Sequence, residues 1–260
     1  MIDDPLFYVI AVPALLLTGI SKGGLGAGAG MLSVPLMSIA ISPTQAAAIM
    51  LPLLCAMDLV GLWGYRNAWD GRHLRMLVPA SVVGIGFGAL TFGWLPEAAV
   101  RVIIGLIAVG FVGMRWYAAR RRSPSRRERI PGPVAGAIWG AMSGYTSFVA
   151  HAGGPPLSVY LLPQKLDKTA FVGTIVVFFA VVNYVKLAPY WALGQFDSAN
   201  LRTSLVLLPL APAGMALGFW LHRRIDPVLF FRICYGLLLV TGAKLLWDGI
   251  PDLLGRGIAP

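Results

Sequence analysis

Two stretches of this chain admit very few folds. Gly23 to Met57 and Met76 to Pro96 contain no Asp, Glu, Lys or Arg. At about 1.5 Å per residue, a helix over the second stretch reaches roughly 30 Å, the thickness of a bilayer's hydrocarbon core. Only 12% of the residues are charged and 57% are hydrophobic, whereas soluble domains carry about 25% charged residues. The chain reads as an all-α integral membrane protein. Its start, MIDDPLFYV, is acidic and lacks the basic leader of a cleaved signal. The first apolar helix is expected to persist in the mature protein.

A formal net charge of +10 would suit a nucleic-acid partner. The arginines, however, concentrate in loops between apolar segments, where they orient helices in a membrane. The expected partner is the lipid bilayer, not nucleic acid. Cys55 and Cys234 fall inside apolar segments and read as packing residues rather than a disulfide. Metal-ligand spacing, a GxxxxGK[ST] phosphate loop and a nucleophile triad are all absent from the sequence. No metal, cofactor or enzymatic activity is expected.

Apolar windows run Leu6–Ile20, Ala29–Ile41, Thr44–Tyr65, Leu74–Trp94 and Ala98–Tyr117, then Val134–Ala150, Pro155–Leu162, Thr169–Ala192, Leu201–Leu221 and Pro227–Trp247. Between the two sets lies the polar stretch ARRRSPSRRERIPGP. The expected organisation is a first membrane repeat over 1–118, a basic cytoplasmic linker over 119–133 and a second repeat over 134–260. A shift of 125 aligns Gly28 with Gly153, Leu32-Ser33-Val34 with Leu157-Ser158-Val159, Thr44 with Thr169, Asp58 with Asn183 and Tyr65 with Tyr190. Shifts of 127 and 131 align Asp70 with Asp197 and Arg101 with Arg232, the drift that small loop insertions produce.

Charge orients the halves. The linker's arginines place it in the cytoplasm, and Arg66, Arg72, Arg75, Lys165, Lys168, Arg223 and Arg224 fall on the same side. The basic turn lies between the third and fourth segments of the first half but between the fourth and fifth of the second. That exchange marks inverted repeats and puts both termini in the periplasm. Eight to ten transmembrane helices are expected. Leu6–Ile20 and Ala29–Ile41 are each short for a crossing, and read either as two interrupted crossings or as one re-entrant hairpin.

Within Gly19 to Pro35, GISKGGLGAGAGMLSVP, Lys22 sits among six glycines. Glycine weakens helices, and an ammonium in hydrocarbon is costly. Non-helical backbone at membrane depth is tolerated only where it is buried or lines a cavity. The stretch therefore reads as a broken helix at the substrate site of a carrier. Ser21, Lys22 and the amides of Gly23, Gly24, Gly26, Gly28 and Gly30 would meet an anion near a helix start at Met31 to Val34. The alternative is close helix packing by glycine with Lys22 snorkelling to the interface.

In the second half, SGYTSFVAHAGGPPLSVYLLP places Thr146, Ser147 and His151 before Gly153-Gly154, with proline suited to a new helix's first turn. His151 is either a ligand or proton group, or a structural hydrogen-bonder. Asp58 lies well inside an apolar window; it reads as a proton-coupling carboxylate or as one half of a permanent pair. Asn183, its repeat mate, cannot titrate. Lys186, one turn on, either lines the pathway or snorkels outward, the second being preferred. Trp63, Trp69, Trp94, Trp116, Trp191 and Trp247 fall near segment ends, as interfacial anchors do.

The motifs GISKGGLGAGAGMLSVPL, AHAGGPPLSVYLLPQKLDKTAFVGT, FFAVVNYVKLAPYWALGQFD and LHRRIDPVLFFRICYGLLLVTGAKLLWDG resemble the sulfite exporter TauE/SafE family across nearly the whole chain. The resemblance implies a bacterial inner-membrane permease, usually export-directed, for sulfite, sulfoacetate or a related organosulfonate. HAGGPP stands where the first half has alternating glycines, so the two tips differ chemically. The expectation is a secondary transporter working by alternating access, with proton linkage through Asp58 or His151 if any. A passive anion channel on the same helices is the alternative, and a membrane enzyme or scaffold a third. A homodimer is left open.

Overall fold

The computed structural model describes the chain except residues 1, 3, 25–31, 93, 95, 121–130, 165, 223, 225 and 256–260. The described residues form helices α1 (Pro5–Gly24), α2 (Ser33–Met37), α3 (Pro43–Gly64), α4 (Gly71–Phe92), α5 (Glu97–Arg120) and α6 (Pro133–Ala150). They continue through α7 (Gly154–Leu161), a 3-10 turn at Leu162–Gln164, α8 (Lys168–Ala192), α9 (Ser198–Leu207), α10 (Leu210–His222) and α11 (Pro227–Leu253). Four of these are long and apolar enough to cross a membrane: α1, α3, α4 over Gly71–Thr91, and α8 over Thr169–Ala192. The pair α9 and α10, bent by 41°, makes a fifth if taken as one span. The chain is an all-helical membrane protein.

Short polar signals start the helices. Ser42 caps α3 by accepting from the Gln45 amide at 3.2 Å, with Pro43 supplying a first-turn residue that needs no donor. Asp167 caps α8, accepting from the Thr169 and Ala170 amides, both at 3.0 Å. Asp70 accepts from the Arg72 and His73 amides ahead of α4, and Asp197 from the Asn200 amide ahead of α9. Pro209 falls between α9 and α10. With no N–H to give, it interrupts the helical ladder, so the expected segment Leu201–Leu221 is split in two.

Two other boundaries depart from expectation. The window Ala29–Ile41 holds only the five-residue α2, followed by a turn; residues 25–31 lie outside the description. Helix α5 runs to Arg120, past the expected linker start at 119, because Ala and Arg are good helix formers and the Arg120 guanidinium stacks 3.7 Å over the Trp116 ring.

The centre of the molecule is α3, which packs on α1, α2, α5, α6, α8, α9 and α10. The other main pairings are α4 with α6, α1 with α10 and α5 with α11. Small residues permit the closest of them: a Cβ at Gly19 would stand 2.7 Å from the Gly214 backbone. Apolar helices gain little from hydrophobic burial against one another in lipid, so such backbone approach supplies the packing energy. Outward faces remain apolar, with Leu90, Trp94, Val134 and Trp191 exposed.

Candidate functional site

Two carbonyls of the inner helix α3 meet side chains from other helices. Pro52 lies inside α3 and gives no N–H to Ala48 O, four residues back. On either side of that carbonyl, Ala47 O lies 2.8 Å from His151 Nε2 and Ile49 O accepts from Ser204 Oγ at 2.8 Å, each through a carbonyl's second lone pair. A carbonyl only accepts, so the His151 proton sits on Nε2 and its Nδ1 keeps a lone pair.

His151 itself ends α6. It adopts a left-handed conformation (φ 51°), and its amide donates to Ser147 O at 3.0 Å while the Ala152 amide donates to Thr146 O at 3.1 Å. A left-handed residue commonly closes a helix, usually as glycine; a side chain there costs roughly 1–2 kcal/mol. Among the described residues His151 is the one non-glycine with positive φ. Ser143 Oγ then donates to Gly153 O at 2.7 Å, and a Cβ at Gly153 would meet Ser143 O at 2.6 Å. The α6–α7 connection is folded tightly back on α6.

Onto this end comes Lys186 from α8. Its Nζ lies 3.0 Å from Ser147 O, 3.1 Å from Ser147 Oγ and 2.7 Å from His151 Nδ1. Three acceptors thus face an ammonium's three N–H groups. Lys186 is 0% exposed, so the expectation that it snorkels outward is corrected. Its three partners lie inside the protein, and reaching the interface would forfeit all of them.

One turn earlier on α8, Asn183 Nδ2 donates to Asp58 Oδ2 at 2.7 Å, and Asp58 Oδ1 pairs with Lys22 Nζ at 2.5 Å. Lys22 therefore turns inward to a carboxylate. Burying an ion pair is tolerated only when the remaining lone pairs are satisfied, and Asn183 meets that need.

The structure thus brings together Lys22, Asp58, Asn183, Lys186, Ser147 and His151. Ser21, Gly23 and Gly24 are buried in the last turns of α1, beside Lys22. Gly23 also serves packing, since a Cβ there would meet Met215 O at 2.6 Å. Thr146 Oγ1 donates back to Met142 O at 2.8 Å within its own helix. Gly154 begins α7 and is buried. Gly26, Gly28 and Gly30 lie outside the described residues. Two tyrosines complete the frame: Tyr65 donates to Gly23 O at 2.9 Å and Tyr190 to Phe148 O at 2.7 Å. The Tyr65–Tyr190 match was visible in the sequence; the carbonyls they hold were not.

Two lysines face one carboxylate in this cluster, so with both lysines protonated and His151 neutral it carries one excess positive charge. Asp58 is fully buried and Lys22 is 10% exposed, so the cluster is closed off. Among the described residues no group of His, Cys, Asp and Glu could hold a metal ion.

Comparison with known proteins adds a family. Residues 11–245 match the family described as sulfite exporter TauE/SafE. The chain is 29% identical over 201 residues to the probable inner membrane transporter protein TsaS of Comamonas testosteroni, covering 68% of this chain and 83% of that protein. It is 23% identical over 230 residues to the probable sulfite/organosulfonate exporter TauE of Cupriavidus necator, covering 86% of this chain and 88% of that protein. No solved structure matches.

Proposed function

Because this chain belongs to the sulfite exporter TauE/SafE family, we propose that it carries a small sulfur-containing anion, such as sulfite or an organosulfonate, outward across the inner membrane by alternating access. The observation that carries this reading is the burial of two lysines with a single carboxylate at the centre of the helices, an excess positive charge whenever both lysines are protonated. An uncompensated buried ion is costly. A bound oxyanion supplies the missing negative charge.

Ser21, Lys22 and the glycine-run amides of Gly26, Gly28 and Gly30 bind the anion from one side; Gly23 and Gly24, expected to share in this, lie in the last turn of α1, where their amides are spent on the helix's own carbonyls. Thr146, Ser147, His151 and the Gly153-Gly154 connection bind it from the other. Asp58, Asn183 and Lys186 set the charge between them. Closure of the cluster favours a carrier over a channel, since the guest must wait for the helices to move.

Inverted repeats supply that movement. The bonds Tyr65 to Gly23 and Tyr190 to Phe148 repeat with the 125-residue shift at both donor and acceptor. The caps Ser42 and Asp167 repeat with the same shift. The pairing of α4 with α6 corresponds to that of α10 with α1. Helices α3 and α8, equivalent in the two halves, run antiparallel: Asp58 meets Asn183, and Gly61, further along, meets Val176. These relations support a pseudo-two-fold axis in the membrane plane, with the arginine-rich linker in the cytoplasm and both termini in the periplasm.

The test is transport into liposomes by the purified protein, using sulfite, sulfoacetate, methanesulfonate, taurine and sulfate. Saturable uptake of at least one sulfur anion, accelerated by the same anion inside, is expected. Linear flux would point to a channel, and no flux of any of them would refute the assignment.

A further inference from the structure

Resting on that transport reading, we propose that Lys186 is the coupling ion of this carrier: its ammonium stands where related designs hold a co-transported metal cation, and its proton is what moves with the anion. The position is that of a cation site. Helix α6 ends at Ala150, and a helix's last turn forms its negative pole; Ser147 O accepts from the His151 amide and keeps a second lone pair for a cation. In carriers with broken helices such ends coordinate the coupling ion. Here the end is filled by the protein's own side chain, with Ser147 O, Ser147 Oγ and His151 Nδ1 around Nζ at 2.7–3.1 Å.

The same three partners suit both protonation states. As an ammonium, Nζ donates to all three. When the Nζ–H bond breaks and the proton leaves to water on the open side, the amine keeps two N–H groups and gains a lone pair. It then donates to Ser147 O and His151 Nδ1, and accepts from the Ser147 hydroxyl, whose hydrogen rotates to suit. Neither state leaves a donor or lone pair of Nζ itself unpaired, and an unpaired buried group is the usual cost of changing charge inside a protein.

The surroundings leave that proton removable. From α3 the charged or titratable groups near Lys186 are Asp58 and Cys55; from α1, Lys22; and from the end of α6, His151, whose ring lies 6.2 Å from that of Tyr190 on Lys186's own helix. The single carboxylate among them is taken by Lys22 and Asn183. Among the described residues no carboxylate lies in ion-pair contact with Nζ, so none pins the ammonium.

Charge balance then couples the two passengers. Protonated Lys186 leaves the cluster at +1, and a bound monoanion brings it to zero. With both gone it is again zero. States holding only one passenger carry a buried charge and are the costly ones. Proton and anion therefore favour each other's binding. The cycle carries one of each in the same direction, moves no net charge and needs no metal ion. Its direction follows the anion and proton gradients.

The experiment uses the full-length protein in liposomes with an entrapped pH dye, and sulfite or methanesulfonate as the anion. Methanesulfonate is permanently ionised, so proton movement with it is not the probe's own. Protein-free vesicles correct for diffusion of protonated sulfite. The expected result is one proton per anion, unchanged when choline replaces Na+ and when the membrane voltage is clamped. Lys186→Gln should lose net coupled uptake at least tenfold. Lys186→Arg, a permanent cation, should lose net coupled uptake as well. Anion entry without protons, dependence on Na+, or either variant matching the wild type in net coupled uptake would overturn the proposal. Wild-type stoichiometry decides the question even if neither variant folds. Failure of the wild type to move either anion refutes the transport reading itself, whereas uncoupled transport refutes only the role of Lys186.

Discussion

Asp58 and Asn183 meet at 2.7 Å across the centre of the protein, from positions 125 residues apart. The same interval aligns Gly28 with Gly153 and Tyr65 with Tyr190 in the sequence. One residue of the pair can ionise and the other cannot, and this asymmetry decides how the site's charges are shared. Of the two lysines the carboxylate contacts Lys22, and Lys186 has neutral partners.

Breaking the Lys22–Asp58 pair should cost more than deleting it. Asp58→Asn leaves Lys22 buried without its counter-charge, a loss of about 3–5 kcal/mol in comparable buried pairs. Lys22→Met should cost a similar amount. The double variant Lys22→Met with Asp58→Leu should recover most of the stability and none of the transport. Thermal unfolding in detergent, run as a double-mutant cycle, and liposome uptake check this.

At His151 backbone and side chain make opposite demands. His151→Gly relieves the left-handed strain but removes the acceptor for Lys186 and the donor to Ala47 O. His151→Ala loses both bonds and keeps the strain. The alanine variant should be less stable than the glycine variant by roughly 1 kcal/mol, and both should transport poorly. Melting temperatures of the pair give the difference directly.

Ser147→Ala removes the hydroxyl that serves Lys186 in either protonation state. Both rates should fall, net uptake at least tenfold and exchange by less, because the uncharged lysine alone loses the donor its lone pair needs. A parallel fall in both rates would mean that the hydroxyl only holds the fold.

Glycine substitutions separate packing from flexibility. Gly218→Ala puts a Cβ 2.6 Å from Ile20 O and should cost about 1–3 kcal/mol through displacement of α1 from α10. At Gly86 in α4 nothing stands within 4 Å, so Gly86→Ala should be neutral or stabilise by up to about 1 kcal/mol. Detergent melts of both variants suffice.

Tyr65→Phe and Tyr190→Phe each remove one hydrogen bond to a buried carbonyl, Gly23 O or Phe148 O. Each should lower stability by about 1–3 kcal/mol, the range for leaving a buried group unpaired, and the two losses should add, because the sites share no partner. A strongly non-additive double variant would contradict that independence.

Much of the fold was legible because its determinants are local. The window Thr44–Tyr65 became Pro43–Gly64, and Thr169–Ala192 became Lys168–Ala192. Apolar length and capping residues act within a few positions of one another. Where a proline removed a donor at 209, or where Arg120 stacked back on Trp116, the boundaries moved.

The site was legible only as a set of members. Charge-capable groups are scarce in apolar windows, so Lys22, Asp58, Asn183, Lys186, Ser147 and His151 could each be named from the sequence as costly residues kept for a reason. Which of them pair is a property of helices brought together from 35 to 125 positions apart, and no local pattern carries it. Composition alone fixed an apolar helical membrane protein with buried charges. The inward turn of Lys186, the tautomer of His151 and the Ala47 carbonyl that its ring meets belong to the tertiary structure, because a hydrogen bond's partner is set by distance in space rather than by spacing along the chain.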